Sequence, residues 1–240
     1  MPEDSRTDPS PQTEASTPRF IAGLALRALI ALALLAIATH VLARPFVIPS
    51  GSMEQTLTPG DRILAQIAFV DDTQLGRGDI IVFGHGQTWA DPALPPAGPA
   101  KEAVRTVGGI LGVGPSHQTH TVKRIIGTPG DQVSCCDEGG RVTVNGQGID
   151  EPYVFEDFEF IPGQLDCTTD PRSTRCFSEV TVPKGSYFVL GDHRSQSGDS
   201  AINCRSSASD GATCAQFVPM DQVVGTVGFR FWPLWPGTVE

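Results

Sequence analysis

From Phe20 to Ala43 the chain is almost wholly apolar, broken mainly by Arg27, Thr39 and His40. As a helix this run would reach about 36 Å, enough to cross a bilayer with some tilt. Arg27 lies close enough to one end to extend its guanidinium toward the headgroups. Residues 1–19 are rich in Pro, Ser, Thr, Asp and Glu and are expected to be disordered. Arg19 and Arg27 bias that side toward the cytoplasm, which would export residues 44–240; Arg44 and Arg62 weaken the bias. A cleaved signal peptide is the rival reading, since Ala36-Ile37-Ala38 and Val41-Leu42-Ala43 resemble small-residue cleavage motifs. The polar tail and the length of the run favour a retained transmembrane helix over residues 20–43.

The exported part reads as mainly β. Gly 26 and Pro 20 fill about a fifth of 240 residues, a composition suited to short strands joined by turns. Arg62–Phe69, Asp79–Phe83, Val122–Ile126, Ser186–Leu190 and Val223–Trp232 read as strands. Arg141–Val144 alternates and runs into Asn145-Gly146, a hairpin turn signal. Residues 84–120 interrupt this pattern as an insertion between two strands. The insertion is proline-rich at first and then forms a short helix over about Ala100–Leu111, with Val104, Val107 and Leu111 on one face and Lys101 and Glu102 opposite. A surface excursion is favoured for it over a helix lying on the membrane or over the site. The net charge of −10 argues against nucleic acid as a partner.

All six cysteines follow residue 134, and with an upstream membrane segment they point to an oxidising, extracytoplasmic location. Cys167–Cys176 and Cys204–Cys214 are the expected pairs, each closing a short polar loop. Cys135 and Cys136 are adjacent, where a mutual bond would be strained; pairing elsewhere or free thiols are the readings for them. No Cys-x-x-Cys occurs, and neither a metal nor another cofactor is expected.

Three stretches carry chemistry. Pro49-Ser50-Gly51-Ser52-Met53 presents a hydroxyl nucleophile, Ser52, just beyond the apolar run. Thr121-Val122-Lys123-Arg124-Ile125-Ile126-Gly127 sets a lysine in an apolar, strand-like segment. There a poorly hydrated ammonium loses its proton readily and can serve as base to a serine. Lys101 and Lys184 occupy polar surroundings. Taken alone, Lys123 reads more readily as a surface lysine at a strand end than as a base. Residues 191–200, Gly-Asp-His-Arg-Ser-Gln-Ser-Gly-Asp-Ser, form a dense polar cluster after the apolar strand Tyr187–Leu190. The simplest reading of that cluster is a solvated turn, within a Ser/Cys-rich loop over residues 193–216.

With these stretches in view, and with Thr56-Leu57, Gly78–Phe83, Pro129-Gly130-Asp131, Val144-Asn145-Gly146 and Glu151-Pro152-Tyr153 in the same order, the chain closely resembles bacterial type I signal peptidases. The single anchor and the insertion are most similar to enzymes of actinobacterial type. The resemblance implies a signal-peptidase-like β-fold catalytic domain on one N-terminal transmembrane helix. It implies a serine endopeptidase that removes signal peptides from exported preproteins, cutting after small residues of Ala-x-Ala type. In that reading Ser52 is the acylated nucleophile and Lys123 its general base. The Ser50 hydroxyl and the Ser52 N–H form the oxyanion hole, Ser197 orients the lysine, and Arg124 and Asp199 support the site. Substrate would bind as an extended strand between Phe46–Ser52 and Thr121–Lys123, with Phe46, Ile48, Met53, Leu57 and Val122 lining shallow pockets. The implied partners are signal peptides and the lipid bilayer. Two residues depart from the pattern: His193 stands where asparagine is more usual, and Ala201 where arginine usually follows Asp-Ser. The latter leaves Asp199 to find a partner in Arg205 or Arg124.

Other readings weigh less. A Ser/Lys self-cleaving repressor protease fits neither the anchor nor the cysteines, and a histidine-dependent signal peptidase would replace Lys123 itself. His117-x-x-His120 lacks a third ligand nearby and reads as loop. A membrane-tethered β-domain that binds exported peptides without cutting them is the alternative from a different class. Trp232 is expected in the core, and Trp235 either there or at the bilayer interface.

Overall fold

In the computed structural model the described residues are 17–67, 75–86, 89, 98–111, 119–206, 213–233 and 237–238. Most of the N-terminal tail, His117 and Trp235 lie outside them. The apolar run forms α1, Thr17–Val41, whose stretch Phe20–Thr39 has a mean hydropathy of 2.5 and length enough to cross a membrane. Leu24, Leu29 and Leu34 are exposed on it, as suits a lipid-facing helix. Strand β1, Ala43–Val47, follows almost directly, so the first strand of the domain begins where the helix ends.

Among the described residues the strands form two antiparallel sheets. The larger contains β1, β2 (Arg62–Gln66), β3 (Ile80–Gly84), β4 (His120–Gly127), β9 (Ser186–Leu190), β10 (Val218–Pro219), β11 (Val223–Trp232) and β12 (Gly237–Thr238). Its order is β1-β2-β11-β3-β4-β9-β10, with β12 also on β11. The smaller runs β7-β6-β5-β8, from β7 (Gln147–Gly148), β6 (Val142–Val144), β5 (Gln132–Cys135) and β8 (Phe177–Thr181). Asn145 and Gly146 take φ of 54° and 76°, the left-handed pair that a two-residue hairpin needs. At Gly127 any Cβ would fall 2.6 Å from Val133 Cγ2; the missing side chain lets the two sheets approach where β4 leads into β5.

Three apolar clusters fill the interior. One lies between the smaller sheet and β9, around Val133, Val180 and Phe188. A second gathers Ile48, Met53, Leu57, Ile63, Ile80 and Val82 beneath the segment that carries Ser52. The third surrounds Phe83, Ile125 and Tyr187. Trp232 is in none of them; it is 43% exposed, with Arg62 over its ring, which corrects the expectation that it closes the core. It sits at the end of β11, where consecutive side chains, Phe231 and Trp232, are both exposed.

The insertion between β3 and β4 contains α2, Pro99–Leu111. Lys101 is exposed on it and Glu102 half-buried. Val104 and Val107 are more than half exposed, while Arg105 is buried with Nη1 on Glu102 Oε1 at 3.2 Å. The helix packs against α1, so the insertion is joined to the anchor. The pairs Cys167–Cys176 and Cys204–Cys214 form as expected. Cys135 and Cys136, expected to pair elsewhere or stay reduced, are bonded to each other. The sulfurs of Cys136, Cys167 and Cys176 lie within 4.8 Å of one another, and with the last two bonded together Cys136 is left with its neighbour.

Candidate active site

Ser52 lies in a short 3-10 turn, Gly51–Met53, directly after Ile48 enters the core. Met53, 1% exposed, anchors that turn from below, so the hydroxyl one residue earlier is left facing the cleft. Lys123 comes from the middle of β4, paired with Ile81 of β3. It is 2% exposed, and its Nζ donates to Ser52 Oγ at 2.6 Å and to the Val122 carbonyl at 3.1 Å. Burial lowers the proton affinity of its amine to a pKa of about 8, against the opposing pull of Asp199 and then Asp192. About a tenth of the amine is therefore neutral at pH 7 and about half near pH 8, and through the same contact the serine hydroxyl can donate to Nζ.

Ser50 is exposed at the mouth, with Oγ 3.5 Å from Ser52 Oγ. Ser197 is buried beside the site; its Oγ has no hydrogen-bond partner among the described residues, so the expected bond to Lys123 is not made in this conformation. Gly191 separates it from the nucleophile's backbone. A Cβ there would fall 2.5 Å from the Ser52 carbonyl oxygen and closer still to Ser197 Oγ. The lack of a side chain at 191 lets the 191–200 loop close over the serine turn.

Arg124 faces away from the cleft and ties several segments together. Its Nε and Nη2 donate to the two Asp192 carboxylate oxygens at 3.0 and 2.8 Å, and its Nη1 to the Gly78 carbonyl at 2.8 Å. Its guanidinium also lies 3.9 Å from the Tyr153 ring centroid. Thr56 Oγ1 donates to the same Asp192 carboxylate, which links the serine segment to the polar loop. Both members of the ion pair are buried, and the planar fork suits a bidentate partner.

The two departures from the family pattern both have partners. His193 is buried, its backbone N–H donating to the Ser52 carbonyl at 3.2 Å and its Nδ1 lying 3.3 Å from Glu54 Oε2. Its Nε2 is 3.4 Å from Glu156 Oε2, close for an ion pair but without hydrogen-bond geometry. Ala201 is fully buried in the core, and Asp199 takes Arg205 instead, Nη1 to Oδ1 at 3.0 Å. Arg124, the other partner considered for Asp199, is engaged with Asp192.

A cleft beside Ser52 is lined by Ile48, Pro49, Ser50, Met53, His120, Thr121 and Val122. Of the expected pocket residues it gathers Ile48, Met53 and Val122. Phe46 stands behind it, edge-on to His120 at 5.0 Å, and Leu57 is wholly buried beneath, where its N–H returns to the Met53 carbonyl at 2.7 Å. His120 is a lining residue that sequence reasoning left in a loop; its place at the head of the strand carrying Lys123 was the available signal. Both walls keep open backbone. Among the described residues the pairing of β4 with β9 begins at Arg124, so Thr121–Lys123 pairs with β3 alone, and β1 ends the sheet.

A family model for "Signal peptidase, peptidase S26" matches residues 21–232. The signal peptidase I of Mycobacterium tuberculosis H37Rv is 32% identical over 240 residues, covering 95% of this chain and 77% of the relative. A probable signal peptidase I of Mycobacterium leprae is 31% identical over 222 residues, covering 87% and 75%. The signal peptidase IB of Staphylococcus aureus strain COL is 28% identical over 209 residues, covering 85% of each chain. Among solved structures, a signal peptidase I from Enterococcus faecalis V583 matches at 23% identity and a TM-score of 0.33, over 64% of this chain and 96% of that one.

Proposed function

The chain belongs to the signal peptidase family, peptidase S26, as a serine endopeptidase that removes signal peptides, and we propose that it does so by Ser52/Lys123 acyl-enzyme chemistry. The observation that carries this reading is the 2.6 Å contact between Ser52 Oγ and a lysine only 2% exposed. Ser52 Oγ attacks the scissile carbonyl carbon as its proton passes to the neutral Lys123 amine. The oxyanion is met by the Ser52 N–H and the Ser50 hydroxyl, a role that needs a small rotation of Ser50 toward the incoming oxygen. Collapse breaks the C–N bond, and Lys123 returns the proton to the leaving amine, which becomes the N-terminus of the mature protein. Lys123 then takes a proton from water, whose oxygen attacks the ester carbon; the C–Oγ bond breaks, and Lys123 returns the proton to Ser52 Oγ as the acid product leaves. Ser197, buried with an unpartnered hydroxyl, orients the amine once substrate has closed the cleft. Arg124 and Asp199 hold the walls.

Substrate adds as a strand between Phe46–Ser52 and Thr121–Lys123, using the open backbone of β4 and the terminal strand β1. The shallow wall of Ile48, Met53 and Val122 favours small side chains and supports cutting after Ala-x-Ala; Phe46 and Leu57 shape it from behind. One membrane pass through α1 keeps residues 1–19 cytoplasmic and the catalytic domain outside, against the bilayer through which signal peptides emerge. Sharing that surface raises the effective concentration of enzyme and substrate.

Full-length protein in lipid vesicles tests this on a preprotein with an Ala-x-Ala site, with the product's N-terminus sequenced. The expected result is a single cut after the second alanine, lost when that alanine becomes phenylalanine and absent with the Ser52→Ala enzyme. Binding without cutting by wild type would instead favour the tethered binding domain.

A further inference from the structure

Asp199 is wholly buried and close enough to Lys123 to be foremost among the charges that favour its ammonium form. Its carboxylate accepts from Arg205 Nη1 at 3.0 Å, the Ala201 N–H at 3.1 Å and the Gly191 N–H at 3.4 Å. The other acid felt by the lysine, Asp192, is matched by Arg124 from β4 itself. Arg194 of this loop is paired with Glu151, and the His193 ring lies between Glu54 and Glu156. Each of the two acids that act on the lysine is therefore held by an arginine. Arg124 is fixed within a sheet. Arg205 stands on α3, Ile202–Ser206, a helix of five residues.

A helix that short has no stability of its own. What fixes it lies next to Arg205. Cys204, 2% exposed and in the same core cluster as Ala201, is bonded to Cys214, and the Arg205 guanidinium lies 5.4 Å from the Phe158 ring centroid. We propose that Arg205 is a positioning residue for the Lys123 base, held on Asp199 by the Cys204–Cys214 disulfide, so that opening the disulfide or removing the guanidinium favours the protonated lysine. This rests on the Ser52/Lys123 reading. With the guanidinium gone, Asp199 keeps only its two backbone N–H donors, and its pull on the Lys123 ammonium strengthens. A dithiol reductant would produce the same state. The disulfide takes up two electrons and two protons to give two thiols, while the reductant closes to its own disulfide.

The test is the acid limb of the pH profile of kcat/KM on the Ala-x-Ala preprotein, measured with the full chain in detergent. Arg205→Ala is expected to move the limb up by about one pH unit, lowering cleavage at pH 7 about tenfold and leaving the alkaline plateau within about twofold. Arg205→Lys restores the limb. Cys204→Ser/Cys214→Ser, and wild type treated with dithiothreitol, shift it in the same direction, whereas Cys167→Ser/Cys176→Ser does not. A loss of activity at every pH with an unmoved limb would overturn the proposal, leaving Arg205 a purely structural residue. Should Arg205→Ala fail to fold, the reductant titration of wild type decides, and an unmoved limb there is equally fatal. Failure of the underlying reading shows separately, as cleavage that survives Ser52→Ala.

Discussion

Replacing Lys123 with methionine abolishes cleavage, by about 10⁴-fold or more on the scale of losses seen when a serine nucleophile is deprived of its base, and yet makes the protein more stable. The two effects have one origin. Lys123 is 2% exposed, and its pKa falls from 10.5 to about 8 mainly through burial. Below pH 8 the lysine is charged in both folded and unfolded chains, so folding bears the full cost of burying the ammonium, on the order of 3 kcal/mol. Between about 8 and 10.5 the folded lysine is neutral while the unfolded one still holds its proton, and the cost fades as pH rises through that window. A methionine of similar length removes the charge without leaving a void. The melting temperature of Lys123→Met should therefore exceed that of wild type at pH 6–7, with the gap closing above pH 10. A variant both inactive and less stable at pH 6 would show that the ammonium is well accommodated where it lies.

Asp192→Asn has the opposite character and a comparable size. It leaves the Arg124 guanidinium, 2% exposed, without its counter-charge. Breaking one side of a buried pair costs about 3–5 kcal/mol, because the remaining charge is stranded. For a domain of this size that corresponds to a fall of about 10 °C in melting temperature. Activity should fall with it, since Asp192 also receives Thr56 Oγ1 and so joins the serine segment to the polar loop. Thermal melts of the full chain in detergent read this directly; a change under about 2 °C would mean that Tyr153 and the Gly78 carbonyl suffice for Arg124.

Much of this was legible in the sequence because local pattern and tertiary need agree there. The apolar run became α1, Val223–Trp232 became β11 with those bounds, and Asn145-Gly146 made its hairpin. Ser52 and Lys123 were singled out through the ordered motifs that resemble signal peptidases, since a lysine beside Val122 and Ile125 reads by itself as a surface residue at a strand end; their 2.6 Å contact supports the pairing. What could not be read depends on contacts between distant segments. Val104 and Val107 of α2 are exposed and Arg105 buried, and Trp232 is exposed although β11 still pairs with β2 there. The choice of Arg205 over Arg124 as partner of Asp199 turned on Arg124 being held already by Asp192, which no local spacing encodes.

The most direct test is the pH dependence of kcat/KM for the wild-type enzyme on its preprotein. If buried Lys123 is the base, cleavage rises along a single acid limb with its midpoint at about 8. A limb near 6.5, the ordinary range of histidine, would take the proton transfer away from Lys123 and turn attention to His193, whose backbone N–H holds the Ser52 carbonyl.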